Sequence, residues 1–424
     1  MDEVRDMMEE IKEKSEYCLN CTIKPCSVKG CPLGNDIPAF IKAVKEEDYK
    51  KAYEILSKTT VLEAVCGRIC PHTKQCEGSC VRGIKSNPVS IGELEAFVGD
   101  ISIKQDYKIP QKNRNNQNKK IAIIGGGPAG LTASAFLLKE GYSVTLYEKY
   151  NYLGGLLIHG IPDFRLPKDI VRNTIKKIID LGLEVKYNME LGKNLLLSEL
   201  EEKYDAIFLA IGANVSSKMG VNGENLQGVY SGNQLLEHNE HPNYEGKIVA
   251  VIGGGNVAID CARTIKKMGA QQVNVVYRRA EEQMPAECKE VEEAKAEKIN
   301  FIFQNNLVNI LGNKKIEQIE LVKTDLVQKE GEERKIPVDI PNSNYLMKID
   351  YVVMALGSRP EQFVKNLNLE LNEKGYIKVD QDNRTSNKKI FAGGDLAGAK
   401  GTVAWAARSG RDAAMSIMRY LSLV

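Results

Sequence analysis

The sequence predicts an α/β chain, with a helical amino-terminal domain followed by two nested Rossmann-like domains. Three observations predict it. Eight of the ten cysteines are crowded between Cys18 and Cys80, a strand–glycine turn–helix–strand pattern begins at Lys120, and the same pattern returns at Lys247. At 424 residues the chain is long enough for two or three domains and too long for one small core.

Composition removes several classes of function. With 58 Lys+Arg against 56 Asp+Glu the net charge is +2, so no basic surplus is available to neutralise nucleic-acid phosphates. Apolar residues at 43% and charged residues at 27% are the proportions of an ordinary globular chain. There is no apolar run of the roughly eighteen residues that a bilayer span needs. The first twenty residues are acidic and polar where a secretory signal is basic and then apolar. A cytoplasmic protein with no membrane and no nucleic-acid partner is expected.

The amino-terminal cysteines read Cys18-x2-Cys21-x4-Cys26-x4-Cys31-Pro32 and then Cys66-x3-Cys70-x5-Cys76-x3-Cys80. In a reducing compartment, grouped thiols hold metal more often than they form disulfides. Structural zinc prefers two clean ligand pairs, often with histidine, whereas compact runs ending in Cys-Pro are the style of iron–sulfur binding. Iron–sulfur clusters are therefore favoured over zinc and over plain buried thiols. Spacing alone leaves the partition open, because eight cysteines divide naturally into two fours. Between the halves, Ile37, Phe40, Ile41, Val44 and then Tyr49, Ala52, Ile55, Leu56 recur at three and four residues, which predicts core helices joining them. Residues 1–110 form this domain, and the polar, Asn- and Lys-rich 111–119 reads as a linker.

From Lys120 a short apolar strand, a glycine turn, a helix and a second strand ending at Glu148 make a complete βαβ unit. Gly125-x-Gly127-x-x-Gly130 gives the tight turn, the close approach of backbone to pyrophosphate and the close helix–strand packing that a dinucleotide needs. Phosphate then meets the helix start at Pro128 and Ala129. Glu148 stands where an acid accepts hydrogen bonds from the adenosine ribose. The second unit carries Gly253-x-Gly255-Asn256-Val257-Ala258, and in place of the acid it has Arg278 and Arg279. Guanidinium groups there favour the 2′-phosphate of NADP.

AIGAN at 210–214 and ALGSRP at 355–360 each follow a strand-like run and carry a glycine, Gly212 and Gly357, counted among the cofactor-binding residues. They read as the crossings of a discontinuous fold: a first dinucleotide domain at 120–230 and 355–424, with a second, 231–354, inserted in it. Near the carboxyl terminus, Gly393-Gly394-Asp395 precedes a long helix of small residues. By itself such a tripeptide reads as a turn, but a carboxylate there also suits the ribityl chain of a flavin.

Taken together, CLNCTIKPC, VCGRICPHTKQCEGSCVRG, VSIGELEAF, GGGPAGL, GGLLIHGIPDFRLPKD, GGGNVAID, YRRAEEQMPA and FAGGD followed by GTVAWAARSGR give a resemblance that covers nearly the whole chain. The sequence resembles the flavin-containing small subunit of glutamate synthase. It is similar as well to the amino-terminal half of dihydropyrimidine dehydrogenase and to the large subunit of bifurcating ferredoxin:NADP transhydrogenases.

The resemblance implies two [4Fe–4S] clusters, an FAD domain and an inserted NADP domain. It implies that Cys18, Cys21, Cys26 and Cys80 hold one cluster and that Cys31, Cys70, Cys76 and the carboxylate of Glu95 hold the other. Cys66 is then a packing residue. It also implies that Gly154 and Gly155 pass close to FAD, that Arg165 lies between flavin and the nearer cluster, and that Thr402 approaches the isoalloxazine ring. His159 is taken as packing.

The implied activity is oxidation of NADPH. A pyridine nucleotide gives up two electrons together, an iron–sulfur cluster takes one at a time, and a flavin manages both. The expected protein is an electron-transfer subunit of a hetero-oligomer, feeding an amidotransferase- or synthase-type partner. The alternatives are the electron-input subunit of a dihydropyrimidine dehydrogenase, or a transhydrogenase subunit with ferredoxin as partner. Disulfide reduction of the thioredoxin reductase kind needs a Cys-x-x-Cys near the nicotinamide, whereas Cys261 stands alone and Cys288 lies far along the chain. No acid, base or nucleophile in the sequence suggests a catalytic triad.

Overall fold

A computed structural model describes residues 2–112, 116–328 and 335–423. It divides into two compact units, one of Met1–Ile158, Asp163–Ala213 and Pro360–Val424, the other of His159–Pro162 and Asn214–Arg359.

The first unit begins with the cysteine-bearing helices. Asp36 caps Ile37–Lys45, with Pro38 in the first turn, and Asp48 caps Tyr49–Leu56 by accepting from Lys51 N at 3.0 Å. Helices Glu63–Ile69 and Ile91–Lys104 meet backbone to backbone. A Cβ added to Gly67 would lie 2.3 Å from Ala96 N, and one on Gly99 would lie 2.4 Å from Ala64 Cα. That approach, open only to residues without a side chain, buries Glu95 between elements that carry cysteines.

The rest of this unit is a parallel five-stranded sheet in the order Ile390–Ala392, Ala206–Leu209, Asn116–Ile124, Tyr142–Tyr147, Glu184–Lys186. The strand at its centre starts earlier than the sequence suggests. Asn116 pairs with Tyr142 and its Nδ2 donates to Glu140 O at 2.8 Å, so 116–119 of the expected linker are strand. Against the sheet, helices Pro128–Lys139 and Val403–Leu421 approach so closely that a Cβ on Gly410 would fall 2.1 Å from Ala129 O.

The second unit holds another parallel sheet, ordered Val229–Ser231, Tyr351–Met354, Ile248–Ile252, Gln272–Tyr277, Asn300–Phe303. It also has an antiparallel sheet that the sequence did not suggest. There Asn305–Gly312 pairs with one edge of Ile316–Val327, while Ile336–Asp339 and Tyr345–Lys348 pair with the other.

The units divide inside AIGAN and inside ALGSRP, at Ala213/Asn214 and Arg359/Pro360, and not at 230/231 and 354/355. The reason is strand pairing. Val229–Ser231 bonds to Tyr351–Met354, and Val215–Ser216 bonds to Ser358–Arg359, so these segments travel with the second sheet. Among the described residues no helix is long and apolar enough to cross a membrane.

Candidate cofactor sites

Cys18, Cys21, Cys26 and Cys80 line one pocket, walled by apolar groups that include Pro25, Ile37 and Ile41. Burial pushes the Cys18 and Cys26 thiols up, and Cys80 adds to both shifts. The four come from two separate stretches of chain, 18–26 and Cys80, and the helix Ile37–Lys45 forms the floor beneath them.

Cys31, Cys70, Cys76 and Glu95 form a second group. Burial, then the Glu95 carboxylate, pushes the Cys31 thiol up to about 12. Burial, Glu95 and Cys31 raise Cys76. Cys70 is raised first by its hydrogen bond with Cys66, then by burial, with Glu95 and Cys76 adding to it. Cys66 itself is buried in helix Glu63–Ile69.

Glu95 is 5% exposed, and its Oε1 accepts from Asn35 Nδ2 at 3.1 Å. Burial, reinforced by the negative charge of Glu63, pushes its carboxyl up to about 8. Among the described residues this carboxyl is bonded to a neutral amide and no cation offsets it, although such burial usually comes with an opposite charge. Ligands for a cationic metal group must be deprotonated, and a gathering of groups that raise one another's pKa is relieved when that group binds. Among the described residues no three His, Cys, Asp or Glu side chains are close enough together to hold a single metal ion. In the first group the four thiols instead surround a shared space.

The flavin-type elements converge on the start of helix Pro128–Lys139. Gly125 has φ +105°, and a Cβ there would sit 2.5 Å from Ala210 O, so the turn needs glycine twice over. A Cβ on Gly130 would lie 1.9 Å from Gly125 O, whereas one on Gly127 would meet nothing within 4 Å: that position faces open space where a phosphate can approach. Gly154 N donates to Gly126 O at 2.8 Å, and Gly155 lies over Gly127. Gly394 packs on Ala129, and Gly212 follows Ala210 and Ile211 where they cover Gly125.

Beside Gly394, Asp395 Oδ1 is buried and has no hydrogen-bond partner. Burial pushes its carboxyl up. An orphaned acceptor at the edge of an open dinucleotide turn fits a polyhydroxyl chain such as ribityl. Thr402 caps helix Val403–Leu421, its Oγ1 accepting from Trp405 N at 3.4 Å. Arg165 is half-buried in the turn ahead of helix Lys168–Ile179.

Glu148 departs from a simple ribose acceptor. Its Oε2 accepts from Gly126 N at 2.7 Å and its Oε1 from Tyr150 N at 3.0 Å. The carboxylate thus fixes the glycine turn itself, while its remaining lone pairs stay available for a hydroxyl.

The second unit repeats the plan. A Cβ on Gly253 would lie 2.3 Å from Ala355 O, the counterpart of Gly125 over Ala210, and Gly255 opens onto space. Asn256 Oδ1 accepts from Glu287 N at 2.9 Å, and Ala286 N donates to Gly254 O at 3.1 Å, which folds the segment after the arginines onto this turn. Val257 packs beside them against the domain core. Gly357 O accepts from Ser217 N at 2.9 Å.

Arg278 is exposed, and its carbonyl is held by Thr324 Oγ1 at 2.8 Å; Arg279 O accepts from Gln304 N at 3.1 Å. The antiparallel sheet therefore fixes the backbone of the strand end and leaves the Arg278 guanidinium in solvent. His159 is nearly buried, its Nε2 4.0 Å from Glu237 Oε1. Cys261 is enclosed in the core with its thiol toward Gly232 O, and Cys288 is exposed.

Sequence reasoning missed the seam within the first unit. Lys139 Nζ donates to Ser57 O, Lys177 Nζ to Ser102 Oγ at 2.8 Å, and Arg411 Nη1 to Leu33 O and Thr59 O. Glu63 is buried beside Lys177 and Lys139. Partners 75 to 378 residues apart leave no periodicity for a sequence to display.

Residues 119–413 match the pyridine nucleotide-disulphide oxidoreductase family, and residues 2–107 match dihydropyrimidine dehydrogenase domain II, 4Fe-4S cluster. Fold and sites thus define a flavin and pyridine-nucleotide oxidoreductase joined to a 4Fe-4S domain. The glutamate synthase [NADPH] small chain of Halomonas elongata is 34% identical over 97% of this chain and 90% of its own length. The chain belongs to the glutamate synthase small chain family. The NADP(+)-dependent formate dehydrogenase subunit beta of Moorella thermoacetica is 36% identical over 94% of this chain and 60% of its own length. Among solved structures, Mycobacterium tuberculosis FprA in complex with NADPH covers 72% of this chain and 85% of its own at 22% identity and TM-score 0.64, a likeness of fold.

Proposed function

We propose that this protein oxidises NADPH and passes the electrons one at a time to a separate catalytic subunit of glutamate synthase type. The observation that carries the reading is that the open dinucleotide turn with its orphaned Asp395 and the two cysteine-bearing groups belong to one compact unit. FAD and two [4Fe–4S] clusters, when bound, supply the conversion between a two-electron donor and a one-electron acceptor.

The chain's own residues bind and position. Cys18, Cys21, Cys26 and Cys80 hold one cluster, and Cys31, Cys70, Cys76 and Glu95 hold the other. The turn Gly125–Gly130 receives pyrophosphate, Asp395 accepts from the flavin side chain, and Arg278 with Arg279 selects the 2′-phosphate of NADPH. This puts FAD on the first unit and NADPH on the second.

A partner subunit is supported by exposed apolar side chains, Leu19 and Val81 lining the first cysteine pocket and Ile23, Val28 and Ile84 on the chain segments that carry its cysteines. Small patches of this kind near a redox group suit protein docking. A cytoplasmic setting is supported by the reliance on reduced thiols.

Anaerobic stopped-flow absorbance tests the reading. NADPH should bleach the flavin within the mixing experiment and then reduce the clusters. An oxidised spectrum that persists after mixing would refute it.

A further inference from the structure

Helix Val403–Leu421 is held to the dinucleotide-binding fold at Gly410, whose Cα is pressed on Ala129 O of the fingerprint helix. The next residue points the other way. Arg411 is 13% exposed, and its Nη1 donates to Leu33 O at 2.5 Å and Thr59 O at 3.2 Å in the cysteine-bearing helices. Its Nε and Nη2 are fixed by Asp412 Oδ1 at 3.2 and 3.1 Å.

Both acceptors lead to the second cysteine group. Leu33 lies two residues after Cys31. Thr59 Oγ1 donates to Asn35 Oδ1 at 2.7 Å, and Asn35 Nδ2 donates to Glu95 Oε1 at 3.1 Å. Arg411 is thus linked to Glu95 through Thr59, whose carbonyl it holds and whose hydroxyl holds Asn35, while the second branch pins the backbone beside Cys31. The planar guanidinium can hold two carbonyls and a carboxylate at once, which a lysine ammonium does with less fixed geometry.

The geometry points to Arg411 as a positioning residue that fixes the Cys31–Cys70–Cys76–Glu95 group against the FAD-binding fold. The inference rests on the electron-transfer reading above and deepens it. Among the described residues Arg411 bonds no thiol; it acts through Leu33, Thr59 and Asn35. Two other cations on this seam end elsewhere: Lys139 donates to Ser57 O and Lys177 to Ser102 Oγ, and among the described residues neither is linked by hydrogen bonds to Glu95.

The test compares intact anaerobic wild type with Arg411→Met, Thr59→Val and Lys139→Met. Thr59→Val is the mild variant: it keeps the carbonyl that Arg411 grips and removes the hydroxyl, which bonds Asn35 Oδ1 at 2.7 Å and Leu56 O at 3.3 Å. In wild type, NADPH bleaches the flavin; absence of that bleaching removes the electron-transfer reading, and this inference with it. With bleaching present, Arg411→Met should bleach at the wild-type rate and reduce its clusters several-fold more slowly. In both Arg411→Met and Thr59→Val, the electron paramagnetic resonance signal of one reduced cluster should shift or broaden and the other stay unchanged. Lys139→Met should leave both signals in place. Wild-type signals and wild-type cluster reduction in Arg411→Met, or unaltered signals in Thr59→Val should Arg411→Met not fold, would overturn the proposal. So would an equal disturbance in Lys139→Met, which would mean general loosening of the seam.

Discussion

Asn35 and Glu95, sixty residues apart in sequence, meet in a buried hydrogen bond, Nδ2 to Oε1 at 3.1 Å. The bond holds a buried carboxyl whose negative charge raises the thiols of Cys31, Cys70 and Cys76. Asn35 has its own orientation fixed by Thr59 Oγ1, which donates to its carbonyl oxygen at 2.7 Å. Second-layer bonds of this kind set ligand orientation and basicity.

Glu95→Ala is expected to disturb one cluster and spare the other. Protein prepared without oxygen should contain about eight irons, four for each of two clusters, and one FAD. In the variant one of two electron paramagnetic resonance signals should change while the second, assigned to Cys18, Cys21, Cys26 and Cys80, persists. Cys80→Ala should give the complementary result. Zinc in stoichiometric amount with no acid-labile sulfide would defeat both assignments.

Asp395→Ala should weaken FAD binding. The side chain offers a buried acceptor with no protein partner, and a hydrogen bond to a charged group contributes about 1.5–3 kcal/mol. The dissociation constant for FAD, measured by flavin fluorescence after dilution, should rise roughly ten- to 100-fold. Unchanged retention of FAD would show that Asp395 is satisfied in some other way.

Replacing Arg278 and Arg279 by glutamine should raise KM for NADPH by roughly tenfold or more and leave KM for NADH nearly as it was, because only the former carries the 2′-phosphate. The Arg278 guanidinium is exposed, so the effect should shrink with added salt. Equal changes for both nucleotides would count against the assignment.

Lys139 gives a pH dependence with a definite sign. Burial, foremost among its influences, lowers its ammonium from 10.5 to about 8. Below about 8 both folded and unfolded chains carry the proton, and the cost of the buried charge is fully present. Between about 8 and 10.5 the folded chain releases its proton first, so the unfolded state binds more protons and stability rises with pH. Relative to Lys139→Met, wild type should therefore gain stability across that window, by at most about 3 kcal/mol and less where solvent screens the amine. Thermal melts of the two proteins at pH 7, 8, 9 and 10 read the difference, and parallel curves would contradict it.

Much of this organisation was legible in the chain itself. Gly125-x-Gly127-x-x-Gly130 and its repeat at Gly253 are local devices: the turn, the helix start and the acid or arginines at the end of the next strand lie within a few dozen residues, so sequence spacing displays them. The run Cys18-x2-Cys21-x4-Cys26 is local in the same way, as are the helices that start at Asp36 and Asp48, whose capping and apolar periodicity are written into adjacent residues. Domain edges were less legible. That Val229–Ser231 belongs with Tyr351–Met354 is a pairing across more than a hundred residues of chain, and nothing near either strand announces it.

What the sequence by itself determined was therefore the list of chemical parts: thiols for iron, two phosphate turns, and an acid or arginines to read a ribose. Only the tertiary structure decided that Glu95 is buried among Cys31, Cys70 and Cys76, that Asp395 stands beside the first turn without a partner, and that Arg411 links the helices to the sheet. The physical reason is range. Propensity, capping and glycine geometry act over a few residues, whereas burial and buried hydrogen bonds depend on which distant segments share the same space, and that is fixed only when the chain has folded.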